Sequence, residues 1–151
     1  MLDTNQRNTA SLMHFSALGK YFFPMGNFIF PLILWILFKD KSDFYDKNGK
    51  ASINFQLSFF LYGLIVGAVT GGLMLYFVFD QWGGYEAAFA TPHYFNHDWF
   101  LPPFIPVGLL VLGGGIGLAY VIFDFFVIVS AGLKAQKGEV YKYPLSIPFI
   151  K

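Results

Sequence analysis

Asp124 is the residue of this chain best placed to do chemistry, because it alone carries a formal charge in the apolar run 106–133. An ionised carboxylate inside hydrocarbon is expensive and calls for a pair, a wet cavity or a proton. Its candidate partners are His14, Lys20 and Asn27, and sequence alone does not choose among them. Three readings stay open: a structural hydrogen bond, a step in ion or proton movement, or a site nearer the membrane interface. Asn54 and Gln56 stand two apart, so they cannot share one narrow helix face. They read as interface and interhelical hydrogen-bonding groups. His93 and His97 are four apart with Glu86 and Asp98 nearby, a set that could ligate a metal. Pro92 and the surrounding aromatics favour ordinary surface histidines.

Other chemistries are missing from the pattern. There is no serine–histidine–acid arrangement, no enclosed carboxylate pair and no zincin spacing. The absence of cysteine excludes disulfides and thiolate catalysis. Gly113-Gly114-Gly115 is followed by no GK[ST], so it is not a nucleotide loop. No catalytic residue, cofactor or metal site is expected, and a net charge of +1 gives no reason to invoke nucleic acid.

The elements that must position these side chains belong to a membrane protein. Charged residues make up 13% of the chain, about half the usual share, and hydrophobic residues 56%. The runs 51–79 and 107–137 each exceed the roughly 20 apolar residues that cross a bilayer core. A soluble domain of this size could not hide both. The expected fold is all-α: a polytopic helical bundle with two long spans, an N-terminal hairpin of short helices and an extended C-terminal tail.

Taken in order, residues 8–38 are expected to form the hairpin. Asn8-Thr9 caps the first helix, Pro24-Met25-Gly26-Asn27 makes the break, and Pro31 lies near the start of the second. A single kinked span is the alternative. Residues 39–50 form a lysine-rich loop in which Asn48-Gly49 reads as a turn. Residues 80–106 hold Trp82, Tyr85, Tyr94 and Trp99 but no lysine or arginine. The positive-inside rule therefore puts 39–50 and the tail 138–151 in the cytoplasm, with 80–106 outside. The hairpin then leaves both termini cytoplasmic. In the tail, Tyr141, Tyr143, Leu145, Ile147 and Phe149 alternate, as in an extended segment lying on one side. Gly63, Gly67 and Gly71 share one helix face, and Gly113 and Gly117 another. Within lipid such faces allow close helix packing, inside the chain or between subunits.

Several segments together resemble the small bacterial membrane proteins of the DUF4870 or Tic20-like family. They include Leu12-Met13-His14-Phe15-Ser16, Phe23-Pro24-Met25-Gly26-Asn27, Asn48-Gly49-Lys50, Asn54-Phe55-Gln56 and Tyr143-Pro144-Leu145-Ser146-Ile147. Two features depart from that pattern, the longer segment 80–106 and Asp124. The resemblance implies a small helical protein distantly similar to a component of plastid protein import, with no established activity among bacterial relatives. The functional expectation is a non-catalytic subunit or assembly factor of a larger membrane complex. Other integral membrane subunits, self-association and the bilayer are its expected partners. The alternative is a component of a protein-translocation or ion/proton transport system.

Overall fold

The computed structural model describes residues 2–81 and 104–151, the side chains of 77–81 and 104–106 excepted. Glu86, His93, His97, Asp98 and the aromatic residues expected at the membrane boundary lie outside the described residues. All regular structure among those described is helical: α1 (Thr4–Phe15), α2 (Gly26–Phe38), α3 (Asp43–Gln81) and α4 (Phe104–Gln136), with short 3₁₀ segments at Ser16–Tyr21 and Lys39–Lys41.

Helix α1 starts earlier than Asn8. The backbone N–H of Asp3 donates to Gln6 Oε1 at 3.1 Å, half of a capping box that sets the start four residues upstream. The helix tightens into the 3₁₀ segment at Ser16, whose hydroxyl donates back to the Met13 carbonyl at 2.9 Å. Met25 then adopts a left-handed conformation, φ 63°, and turns the chain into α2. This is a hairpin. At 13 residues α2 is about 20 Å long, short of a crossing.

Helix α3 takes in the stretch expected as a loop. Asn48 does not turn the chain: its side-chain amide donates to the Phe44 carbonyl one turn back at 2.8 Å, within the helix. A Cβ on Gly49 would overlap the Trp35 side chain, so the glycine there lets α2 lie against α3. Helix α4 ends where its sequence says it should. Gly138 has φ +85°, its N–H bonds the Ala135 carbonyl, and that of Glu139 reaches the Lys134 carbonyl.

The chain divides into two units, Met1–Tyr62 with Val121–Lys151, and Gly63–Tyr120. The first holds the core: Ala10, Met13, Phe44, Tyr45 and Ala135 pack together with Leu2, Leu34 and Phe38 against them. In the second, large apolar side chains such as Leu64, Val69, Leu75, Leu110, Val111 and Leu118 are exposed. Two helices, Asp43–Tyr76 and Val107–Gln136, are long and apolar enough to cross a membrane. Only 11% and 28% of their most apolar windows is buried by protein, unlike the central helix of a soluble core. The protein is integral to a membrane.

Candidate functional site

The polar residues of α1, α3 and α4 converge inside the first unit, where His14, Asn48, Ser52, Ser58 and Asp124 are fully buried. They form two clusters and a clamp, and four-residue steps along α3 build the first cluster and the clamp.

The first cluster centres on His14. Its Nε2 lies 2.9 Å from Asn48 Oδ1 and its Nδ1 lies 2.7 Å from the Tyr143 hydroxyl. Since the Asn48 amide nitrogen already donates to Phe44, its Oδ1 must accept, and so His14 carries its proton on Nε2. Nδ1 then accepts from the Tyr143 hydroxyl. The result is a directed chain of donors from the tail through α1 to α3. Burial lowers the His14 pKa to about 4, against a smaller opposing effect of Asn48, so the ring is neutral at physiological pH. Burial likewise pushes the Tyr143 phenol up and keeps it protonated. Ser52, one turn beyond Asn48, donates to the Met13 carbonyl at 3.2 Å. The Tyr143 ring stacks on Phe55 with centroids 4.4 Å apart.

The second cluster is an ion pair between Lys20, on the 3₁₀ segment, and Asp124 on α4. Asp124 is wholly buried and Lys20 about one quarter exposed. Asn27 donates to Gln56 Oε1 at 3.1 Å, and the Gln56 amide lies against the Asp124 carboxyl. Asp124 Oδ1 and Gln56 Nε2 are nonetheless buried without a hydrogen-bond partner. Lys20 is therefore the direct partner of Asp124, Asn27 reaches it through Gln56, and His14 belongs to the other cluster.

The clamp holds the tail. Asn54 donates to the Ile150 carbonyl at 2.9 Å and accepts from the Ile150 N–H at 2.8 Å. Ser58 accepts from the Ile147 N–H at 2.7 Å, and Tyr62 donates to the Leu145 carbonyl at 2.9 Å. Asn54 and Gln56 thus act in different directions, as their spacing requires. The tail's alternation breaks at Leu145, which has φ 59°. Tyr143 is buried, Pro144 is exposed beside the turn, and Leu145, Ile147 and Phe149 are exposed.

Asn48 was expected only as a turn residue, and Ser52, Ser58 and Tyr62 were not expected as site residues. Their signal is the step of four, 48–52 and 54–58–62, in an otherwise apolar helix. The glycines fall into two groups. A Cβ on Gly67, Gly71, Gly113 or Gly117 meets nothing within 4 Å, and one on Gly63 comes 3.0 Å from the Tyr120 hydroxyl. Close approaches occur instead at Gly49 against Trp35, Gly132 against the Phe15 ring, and Gly26 against the Gly19 carbonyl.

This arrangement can hold elements together but offers no accessible reacting group. His14 touches no solvent, and Asp124 is matched by Lys20. Among the described residues, no three histidine or acidic side chains come together to hold a metal.

Residues 5–150 match the model of the magnetosome magnetite crystal formation protein family. The chain belongs to this family. No curated protein and no solved structure matches it. The likeness to the DUF4870 or Tic20-like family is corrected by this match, whose span includes 80–106 and Asp124, the two features that likeness left out. The motifs that carried it are packing devices: the turn at Met25, the Gly49 contact, the Asn54 clamp and the Tyr143 anchor. They specify a hairpin and a pinned tail, a shape that does not single out a family. As a member of the magnetosome magnetite crystal formation family, the chain is a small integral membrane protein.

Proposed function

We propose that this chain is a non-catalytic subunit or assembly factor of the membrane that encloses a growing magnetite crystal. The observation that carries this reading is how the polar side chains of the first unit are used. Histidine, aspartate, asparagine and tyrosine are directed at one another, while apolar helix sides remain uncovered. Such a protein acts by packing against lipid and other membrane proteins. The family's subject supplies the setting. The open sides at Gly67, Gly71, Gly113 and Gly117 are the places where a partner helix would approach.

By the distribution of lysines, residues 39–50 and both termini face the cytoplasm, and 80–106 lies on the crystal side. Gene deletion in a magnetite-forming bacterium, with purification of the tagged chain in mild detergent, tests the proposal. Crystals altered in size or shape and a reproducible membrane-protein partner are expected. Unaltered crystals, together with migration only as a monomer, would end it.

A second reading, ion or proton movement, rests on Asp124 Oδ1 and Gln56 Nε2, the partnerless pair beside Lys20. It requires flux in reconstituted vesicles that Asp124→Asn abolishes.

A further inference from the structure

Where the N-terminal turns of α3 face the tail, a cleft of about 370 Å³ opens, within the size range of small-ligand sites. Lys47, Lys50 and Lys142 line it, with Asn54, Tyr141 and Ser146 as polar neighbours and no carboxylate in its wall. Lys50 is held by Asp46 at 2.6 Å, whereas neither Lys47 nor Lys142 pairs with an acid among the described residues. A neighbouring cleft beside Trp35 also contains lysines, but Asp40, Asp43 and Asp46 line it too and largely cancel their charge. Only the first cleft has one sign.

Its walls are fixed. The tail side is tied to α3 through the paired bonds of Asn54 to Ile150 and of Ser58 to Ile147, and it is anchored inward by Tyr143 on His14. Beyond the lysines the same tail exposes Leu145, at 69%, with Ile147 and Phe149. The lining residues Ser146 and Pro148 alternate along the tail with these exposed apolar side chains, so one stretch of chain offers both parts that a single molecule would need. The phosphate meets lysine, and the acyl chains meet leucine, isoleucine and phenylalanine. Basic clusters at the cytoplasmic end of a span attract anionic lipid in just this manner.

We infer that this cleft binds the headgroup of an anionic phospholipid, with Lys47 and Lys142 as its phosphate ligands. The inference does not depend on the role in crystal formation, since it concerns what holds the tail side of the protein to its own leaflet.

The test uses the full chain in detergent, titrated separately with phosphatidylglycerol and phosphatidylcholine and followed by native mass spectrometry. Wild type should retain phosphatidylglycerol at least about tenfold more tightly, as two lysines near an anionic surface would give. Lys47→Gln with Lys142→Gln should erase that preference and leave phosphatidylcholine retention alone, while Lys47→Arg with Lys142→Arg should keep it. Amide exchange at Ile147 and Ile150 reports whether the clamp is intact in each variant. Should the double glutamine variant lose its clamp, Lys142→Glu alone, at an exposed position, carries the comparison. Equal retention of the two lipids by wild type overturns the inference. So does a preference unchanged in a variant with an intact clamp, or inorganic phosphate binding as tightly as the lipid.

Discussion

At the scale of single residues, two buried groups dominate what can be measured. Removing Lys20 strands Asp124, which is wholly buried, in a place it cannot hydrate. Lys20→Met should therefore destabilise the protein by about 3–5 kcal/mol. Replacing both, with Lys20→Met and Asp124→Leu, should recover most of that loss, because an apolar pair asks for no counter-charge. Urea titration of the detergent-solubilised variants separates the two outcomes. His14 gives a pH dependence of definite sign. Its folded pKa, about 4, lies below the ordinary 6.5, so the unfolded chain binds a proton more readily between those values. The contribution of neutral His14 is thus complete above pH 6.5 and is lost as pH falls toward 4. It amounts to roughly 3 kcal/mol at about 1.4 kcal/mol per pH unit. Thermal melts of wild type should drop across that window, and those of His14→Gln should drop less.

At the scale of elements, the decisive devices are the hairpin turn, the α2–α3 contact and the pinned tail. Gly49→Ala places a methyl group inside the space of the Trp35 side chain and should cost about 1–3 kcal/mol by overpacking. Asn54→Ala removes both bonds to Ile150. It should speed amide exchange there by about tenfold, the effect of losing roughly 1.4 kcal/mol of local protection. Helix existence was legible in the sequence, since length and apolarity alone demand α3 and α4. The break at Pro24–Asn27 was legible as well, and so was Asp124 as the polar residue in need of a partner. Boundaries were less so. Lys39–Lys50 looks like a loop by charge, yet from Asp43 onward it is helical, because those lysines and aspartates point outward while Phe44, Tyr45 and Asn48 face the core. The destination of His14 was hidden for a different reason. Its partner lies 129 residues away in a tail whose simple alternation does not reveal the reversal at Leu145.

At the scale of the whole molecule, the open glycines separate folding from association. Gly67→Leu and Gly71→Leu add side chains where nothing in the chain stands within 4 Å. They should leave the thermal melt within about 1 kcal/mol of wild type, as uncrowded substitutions do. Partner recovery in mild detergent should fall, and full recovery would move the interface elsewhere. The pinned tail also imposes an order on biogenesis. Tyr143 and Ile150 leave the ribosome only after α1, α2, α3 and α4, so α1 and α3 wait beside an incomplete interior while the rest is translated. Until those residues arrive, His14 Nδ1 lacks the Tyr143 hydroxyl that donates to it, and the Asn54 side chain lacks Ile150. The last residues translated are therefore the ones that close the interior.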